Sequence, residues 1–460
     1  MAKRHESIWQ TETREQSLDG MFGAMREEAC KRLQRTDISV GAEAEQLLIG
    51  LYLPALSLRY LFQSTVLPLG RVLQITGEEG SCKSAFGYEI MRWHFVSGGG
   101  AVHIENENKD SPELRNSILT WQPQWLQRLE FIQTYTLEQW QQALTTFLAI
   151  GQAYLDAPDG PGHTIPICYL LDSLMATLPE QVLKKIMKEG NAALGYPVAA
   201  RLISEYMRSV AAQLEQYPFT IVCTNHLKPG QDDMGRPTYA VPGGKSVRFM
   251  ETYEIMMAKT GSADIDLRDY GGIRVRLRAE KNSLGPSRKQ IIAELLWWLR
   301  EDTDGVMRQH TAWDWHTASI LLLLSFNETS GRQNGFGVKG KKDLFDSLQD
   351  ICHIVVTDSS RRFAKCKELG ITEPVSYHEL GAALEQRTDI LTAMYPLLGI
   401  ARRREYRAGM NYRQMRQSMA VDSQAALAPS PAPAPAATLG LPRSLYVDPD
   451  DGDDDMVDDE

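Results

Sequence analysis

The sequence predicts an α/β fold built on a doubly wound, mainly parallel sheet. From about Leu53 to Arg300, short apolar runs alternate with longer helical patterns. The runs are RVLQIT, GAVHIEN, LEFIQT, IPICYLLDS, FTIVCTN, YEIMMAKT and IRVRLRAEKN. Continuous apolar runs separated by helices are typical of parallel strands that are covered on both faces.

Composition supports a globular, intracellular protein. The chain has 460 residues and is 43% hydrophobic, which is enough for a sizeable core. Its six cysteines are scattered and form no C-x-x-C pair, so neither a disulfide framework nor a zinc site is predicted. The N-terminal MAKRHESIWQ lacks the apolar segment of a signal peptide, and an apolar run as short as ILLLL cannot cross a bilayer. We expect a soluble cytoplasmic protein without a membrane partner.

Five segments are predicted along the chain. The opening segment has apolar residues near helical spacing, and a glycine-rich basic loop and an arginine cluster follow residue 300. The segments are a helical extension with a role in protomer contacts (1–52), an α/β core (53–300), a C-terminal accessory domain (301–420), a Pro/Ala linker (421–447) and an acidic, disordered tail (448–460).

The acidic tail accounts for nearly all of the net charge. DPDDGDDDMVDDE holds nine acids and no base, so a chain with a formal charge of −10 has a body of only −1. The overall acidity therefore does not exclude nucleic-acid binding. We expect the tail to compete with the phosphates of any bound nucleic acid for basic surfaces of the same chain, although a tail that only aids solubility would have the same composition.

The stretch LQITGEEGSCKSAFGYEI resembles a phosphate-binding loop between a strand and a helix. Lys83 is placed to reach terminal phosphates and Ser84 to ligate magnesium, while backbone amides and the helix N-terminus hold phosphate oxygens. Cys82 stands where the consensus has its second glycine, so a glycine turn with a chance Lys-Ser is the competing interpretation. The predicted nucleotide-binding residues are Gly77, Glu78, Glu79, Gly80, Ser81, Cys82, Lys83 and Ser84.

Acidic side chains end two further strands, in the order that an ATPase requires. Asp172 and Ser173 close CYLLDS and suit the water shell of a magnesium ion. Glu105 and Glu107 close VHIENE, and one of them is expected to orient or deprotonate the attacking water. The residues alone leave open which of the two it is.

Several segments between residues 55 and 300 resemble, in order and spacing, the ATPase core of the RecA family of recombination proteins. They include LPLGRVLQITGEEGSCKS, LLDSLMATLP, AARLISEYMRS, VPGGKSVRF and RLRAEKNSLGPSRKQ. Within the family, the residue before the loop lysine and the pair Asn225-His226 are most similar to phage recombinases of the UvsX type. By resemblance, Cys82 is a tolerated variation, and Gly80 supplies backbone freedom.

The resemblance implies roles for individual residues. Glu107 corresponds to the catalytic glutamate, with Glu105 as the alternate, and Asp172 to the magnesium-side aspartate. His226 corresponds to the residue that senses the γ-phosphate. Lys281 corresponds to a lysine that reaches the ATP of a neighbouring subunit. A second such lysine is expected two residues later, where this chain has Ser283.

The family's two DNA loops correspond to 180–197 and 227–244. Both are long and rich in turn residues, as expected of mobile loops. The predicted DNA-binding residues are Lys184, Lys185, Lys188, Ser204, Arg208, Lys228, Arg236, Gly243, Gly244 and Lys245. The cluster Arg402–Arg416 is equally consistent with duplex DNA binding and with an ordinary surface helix.

The resemblance implies a DNA-dependent ATPase that uses ATP and Mg²⁺, forms helical filaments on single-stranded DNA and exchanges strands with double-stranded DNA. It also implies a single-strand-binding or loader protein as a partner, in a phage-infected bacterial cell. Two alternatives remain open. One is a hexameric replicative DNA helicase with the same core, and the other is a filament scaffold with a degenerate ATP site.

Overall fold

The computed structural model describes residues 48–174, 177–189, 195–231, 237–240, 248, 250–262, 270–302, 304–325, 354–356 and 363–416. The predicted N-terminal extension up to residue 47, the Pro/Ala linker and the acidic tail lie outside the described residues.

The described residues form seventeen strands. They are β1 Ile49–Tyr52, β2 Val66–Pro68, β3 Arg71–Gly77, β4 Gly100–Glu105, β5 Leu129–Gln133, β6 Ile167–Asp172, β7 Phe219–His226, β8 Lys228–Gln231, β9 Pro237–Ala240, β10 Tyr253–Ser262, β11 Tyr270–Asn282, β12 Gln290–Glu301, β13 Met307–Asp314, β14 Ile354–Val356, β15 Phe363–Cys366, β16 Ile371–Ser376 and β17 Arg404–Glu405.

The helices connect these strands. They are α1 Leu56–Phe62, α2 Lys83–Val96, α3 Pro112–Ile118, α4 Pro123–Leu126, α5 Leu137–Asp156, α6 Glu180–Glu189, α7 Gly195–Leu214, α8 Trp315–Ser325, α9 Tyr377–Gln386 and α10 Thr388–Leu398, with a 3₁₀ turn at Lys367–Leu369. Within the described ranges, each helix is too short or too polar to cross a bilayer.

Nine of the described strands form the central sheet, in the order β13-β12-β11-β10-β3-β7-β6-β4-β5. From β10 to β5 all neighbours are parallel, whereas β10 to β13 pair antiparallel. The seven strands predicted from apolar runs are all present. The long antiparallel extension adds an edge on which the sheet continues without crossover helices.

The parallel strands are apolar on both faces because helices cover each of them. On β6, Cys168 and Leu170 pack into one hydrophobic cluster, and Tyr169 and Leu171 pack into the other. Successive side chains of a strand point to opposite faces, so this alternation separates the two layers. Helix α2 covers the first face, and α5 and α7 cover the second.

Aromatic residues join α2 to the far end of the chain. Phe86 makes edge contacts with Trp313 and Trp315, at ring-centroid distances of 5.9 and 5.8 Å. The buried carboxylate of Glu89 accepts hydrogen bonds from the indole nitrogens of Trp93, at 2.9 Å, and Trp315, at 3.1 Å. Helix α2, which follows β3, is therefore packed against β13 and α8.

The boundary predicted at residue 300 is not a boundary in the structure. It falls one residue before the end of β12, and β13 continues the same sheet, with Leu295 opposite Trp313. Helix α8 then packs back on the core, where Ser57 donates to the carbonyl of Trp315. Residues 307–325 therefore belong to the same core as the central sheet, because the antiparallel hairpin needs both of its strands.

The described C-terminal region also closes onto the start of the core. Strand β17 pairs in parallel with β1, with Ile49 opposite Arg404, in a small sheet that includes β2. The fully buried Arg59 of α1 forms an ion pair with Glu385 of α9 at 2.8 Å and donates to the Tyr395 hydroxyl at 3.0 Å. Residues 377–416 thus share one hydrophobic core with the segment that starts at Ile49.

Candidate active site

Four neighbouring strands end at one edge of the sheet, and each ends in a residue that can take part in ligand binding or catalysis. Gly77, Glu105, Asp172 and His226 are the last residues of β3, β4, β6 and β7. These strands are adjacent and parallel, so their carboxyl ends meet. Ligands of open α/β sheets bind at this edge.

The loop between β3 and α2 has the backbone of a phosphate-binding turn. A Cβ at Gly77 would lie 2.5 Å from the Met257 carbonyl oxygen, so this position excludes a larger residue. Cys82, the residue before α2, adopts a left-handed conformation with φ 67° and ψ 28°. It takes the conformation for which the consensus uses glycine. Burial raises the pKa of its thiol to about 11, which keeps the thiol neutral near pH 7.

Lys83 lies folded into this loop. Its ammonium donates to the carbonyls of Gly77 at 3.1 Å and Glu78 at 2.7 Å, and the residue is 7% exposed. Burial lowers the pKa of Lys83, while the carboxylates of Asp172 and Glu107 act in the opposite direction. A buried cation beside a loop of backbone amides is an arrangement that attracts phosphate.

Asp172 and Ser84 form the oxygen donor set that a hard cation prefers. Burial raises the pKa of Asp172, and hydrogen bonds from the hydroxyls of Ser84 and Thr224 oppose that rise. A hydroxyl oxygen at the helix end of the phosphate loop and a carboxylate at the end of β6 suit Mg²⁺. The residues therefore fit the predicted pairing of ATP with Mg²⁺.

The two candidate acids have different surroundings. The Glu107 carboxylate lies 2.7 Å from His226 Nε2 and accepts a hydrogen bond from the Ser173 hydroxyl. The contact with His226 lowers the pKa of Glu107 to about 2, and the Ser173 hydroxyl also lowers it, whereas burial opposes both. The Glu105 carboxylate instead binds the backbone of residues 107–109. Of the two carboxylates, Glu107 is the one hydrogen-bonded to Ser173, directly after β6, and to His226, the last residue of β7.

Lys281 lies away from the loop of its own chain. It pairs with Glu254 across β10 and β11, and Glu254 is level with Gln74 of β3. Gly77 is three residues further along β3, which corresponds to about 10 Å of strand. The ammonium of Lys281 donates to the carbonyls of Arg248 and of Glu251, the latter at 2.6 Å, and burial lowers its pKa.

Comparison with known proteins identifies distant relatives. No protein-family model matches the chain. It is 24% identical over 230 residues to the RecA protein of Rubrobacter xylanophilus, covering 50% of this chain and 60% of that protein. It is 24% identical over 241 residues to the RecA protein of Thermus aquaticus (52% and 64%) and 22% identical over 231 residues to that of Paracoccus denitrificans (50% and 59%).

The chain is a distant relative of bacterial RecA proteins. The matched part is about half of this chain and less than two thirds of each of these relatives. Together with the mixed sheet, the similarity confirms the predicted fold class, a RecA-like core.

The first predicted DNA loop of this RecA-like core is mostly helical. Helix α6 occupies Glu180–Glu189, and α7 begins at Gly195. The prediction of a long loop over 180–197 was wrong there, because Val182, Leu183 and Ile186 form a partly buried face. Three predicted phosphate ligands, Lys184, Lys185 and Lys188, are exposed on the opposite side, and Lys184 forms an ion pair with Glu180 at 2.7 Å.

On α7, the two residues predicted to touch DNA differ. Arg208 is exposed, whereas Ser204 is 7% exposed and donates its hydroxyl to the Ala200 carbonyl at 2.8 Å. In this conformation Ser204 is not accessible to a DNA backbone, because it lies on the buried side of the helix.

The second predicted DNA loop follows His226 directly and contains the hairpin of β8 and β9. Lys228 lies on β8. Arg236, Gly243 and Gly244 of this loop, and Lys245 directly after it, lie outside the described residues. The RecA-like core therefore joins a site residue, His226, to a hairpin without any intervening helix.

The arginine cluster is not carried by one surface helix. Arg404 lies in β17, and Arg403 donates to the Leu284 carbonyl at 3.0 Å. Arg413 and Arg416 form ion pairs with Asp156 and Glu215, at 3.1 and 3.2 Å. Several of these arginines thus connect the C-terminal residues to the RecA-like core.

Two site residues were not anticipated. Thr224 donates its hydroxyl to Asp172, and Asn106 donates its amide nitrogen to the Ser173 carbonyl at 3.0 Å. Each is a small polar residue at or just after the end of an apolar strand, in CTNH and IENE. A small polar residue near the end of an apolar strand was the feature of the sequence from which these two site residues could have been predicted.

Proposed function

We propose that this chain is an ATP-dependent recombinase that forms helical filaments on single-stranded DNA and promotes homologous pairing and strand exchange. One observation carries the proposal. Asp172 and His226 end β6 and β7, and Lys83 and Glu107 follow the adjacent strands β3 and β4. Leu227 alone separates His226 from the β8–β9 hairpin. The distant similarity to RecA proteins supports the same assignment.

In this proposal ATP binds at the 77–84 loop. Lys83 exchanges its bonds to the Gly77 and Glu78 carbonyls for phosphate oxygens, and Asp172 and Ser84 hold the cation side of the site. Mg²⁺, when bound, would neutralise phosphate charge during transfer. Glu107 orients the attacking water and accepts its proton.

His226 couples the nucleotide to DNA binding. Its ring contacts Glu107 at 2.7 Å, and the chain enters β8 two residues later. A γ-phosphate that competes with Glu107 for this ring moves the residue at the base of the hairpin. Such a side chain biases a two-state equilibrium through its differential contacts in the two states.

Lys281 supports assembly into filaments. Lys281 is level with Gln74 of β3, three residues before Gly77, where the phosphate loop of the same chain begins. A contribution of Lys281 to ATP binding therefore requires the site of a second copy. Burial lowers its pKa, and contact with phosphate would offset that loss of solvation.

The finer assignment is a UvsX-type recombinase of a phage-infected cell, loaded by a single-strand-binding or loader protein. Cys82 before the loop lysine and the pair Asn225-His226 support it. The left-handed backbone of Cys82 is compatible with a working loop, because the phosphate-binding turn keeps its geometry without glycine there.

ATPase rates with and without single-stranded DNA, combined with negative-stain images, test the proposal. We expect hydrolysis that depends on DNA, together with helical filaments in ATP. Lys83→Ala should remove hydrolysis, and Lys365→Ala, in β15, is the matched control. Rings in place of filaments would indicate a helicase, and filaments without hydrolysis would indicate a scaffold.

A further inference from the structure

The carboxylate of Glu105 is enclosed by the backbone that follows it. Oε1 accepts the amide N–H of Glu107 at 2.9 Å and of Lys109 at 3.1 Å, and Oε2 accepts that of Asn108 at 2.8 Å. The residue is 2% exposed. Three charge-assisted hydrogen bonds therefore fold residues 105–109 into a tight turn around one carboxylate, with Asn108 left-handed at φ 56°.

This turn determines where the Glu107 side chain lies. The segment is also tied to β6, because the Asn106 backbone donates to the Asp172 carbonyl at 2.7 Å and its side chain donates to the Ser173 carbonyl at 3.0 Å. With its backbone fixed on both sides, Glu107 directs its carboxylate to the Ser173 hydroxyl and the His226 ring.

We propose that Glu105 is a positioning residue that fixes the catalytic glutamate, and that it is not an alternative base. The inference rests on the proposed function, in which Glu107 activates water. Both oxygens of the Glu105 carboxylate accept backbone N–H groups, and the residue is 2% exposed, so the carboxylate is held by the turn rather than directed toward solvent. Its contribution to hydrolysis is therefore geometric and acts through Glu107.

The chemistry of the turn predicts which substitutions it tolerates. Glu105→Gln keeps the length of the side chain but turns an NH₂ group toward N–H donors, so at least one bond is lost. Glu105→Asp is shorter, yet aspartate readily accepts N–H groups two and three residues further along the chain. Those groups belong to Glu107 and Asn108. Aspartate should therefore rescue what glutamine loses.

The test measures both ATP turnover and amide hydrogen exchange in the full chain. Glu130→Gln, the same change at an exposed carboxylate on the neighbouring β5, is the matched control. For Glu105→Gln we expect kcat to fall on the order of 10²-fold, with KM for ATP little changed, because the base is misplaced while the phosphate loop is intact. Glu105→Asp should stay close to wild type.

Hydrogen exchange provides a readout that does not depend on hydrolysis. In the nucleotide-free protein, the amides of residues 107–109 should be protected in wild type, Glu105→Asp and Glu130→Gln, and should exchange faster in Glu105→Gln. Equal exchange in wild type and Glu105→Gln would overturn the proposal. So would wild-type kcat in a Glu105→Gln variant whose amides have lost protection. If the wild type shows no hydrolysis at all, the proposed function fails, while the exchange data still decide whether Glu105 fixes the turn.

Discussion

The Glu107 carboxylate contacts Ser173, directly after β6, and His226, at the end of β7. Its substitution is the most direct test of the proposed ATP hydrolysis. We expect Glu107→Gln to abolish ATP turnover while ATP and single-stranded DNA binding remain, because the amide keeps the shape but cannot act as a base. Quenched-flow hydrolysis and nucleotide-binding titrations measure the two quantities. Normal turnover in this variant, with loss in Glu105→Gln, would assign the base to Glu105.

The lowered pKa of Glu107 also has a consequence for stability. Its folded pKa of about 2 lies below the ordinary 4.5, so its contribution is present above about pH 4.5 and is lost as the pH falls toward 2. In His226→Ala the first cause of the shift is absent. We expect chemical denaturation curves of wild type and His226→Ala to differ at pH 6 and to converge near pH 2. A constant difference across this range would contradict the assignment of the shift to His226.

Cys82 is a residue with a side chain in a conformation that favours glycine. Left-handed backbone costs an ordinary residue about 1 kcal/mol, and glycine avoids that cost but loses a similar amount of chain entropy on folding. We therefore expect Cys82→Gly to leave Tm nearly unchanged and to retain ATP binding. Cys82→Val should lower Tm, because a β-branched residue tolerates this conformation least. Equal Tm values for the valine and glycine variants would argue against the observed φ of 67°.

At the scale of elements, β7 and the β8–β9 hairpin form one continuous path from the site to the second predicted DNA loop. His226→Ala removes the contact with Glu107 at the start of that path. We expect the variant to bind single-stranded DNA with nearly equal affinity in ATP and in ADP, measured by fluorescence anisotropy. If the full wild-type difference remains, His226 does not couple the two sites.

Much of the sheet and of the site could be predicted because both depend on local patterns. Each apolar run became a strand, and the ends of parallel neighbours must meet, so Glu107, Asp172 and His226 converge. The separate roles of Glu105 and Glu107 could not be predicted, since they depend on the backbone of a turn. Helix α6 was missed because turn residues around it concealed its short apolar face.

At the scale of the whole molecule, the core continues beyond residue 300. Removal of residues 301–460 deletes β13 and α8, together with Trp315, one of the two indole partners of Glu89. We expect this truncation to yield aggregated or unfolded protein, whereas truncation after residue 420 should retain the wild-type Tm. Circular dichroism melts of both variants make the comparison. A cooperative melt of the 1–300 fragment at the wild-type temperature would restore the boundary at 300.

The acidic tail is expected to act on the whole molecule through charge. Nine acids on a Pro/Ala linker can reach basic surfaces of the same chain at an effective concentration on the order of millimolar. We expect truncation after Arg443 to tighten duplex binding at low salt, with the effect fading as salt screens both interactions. Titrations of labelled duplex across a salt series measure it. Superimposable curves at every salt concentration would leave only a solubility role.

The pairing of β1 with β17 constrains how this protein can be made. Leu51, Leu53, Leu56 and Leu58 are completely buried in the finished molecule, yet the partner strand at Arg404–Glu405 leaves the ribosome long after them. Contacts between residues this distant in sequence slow folding, and apolar segments that stay exposed until their partners are synthesised are prone to aggregate. We therefore infer that the segment from Leu51 to Leu58 needs the protection of a chaperone while the rest of the chain is synthesised.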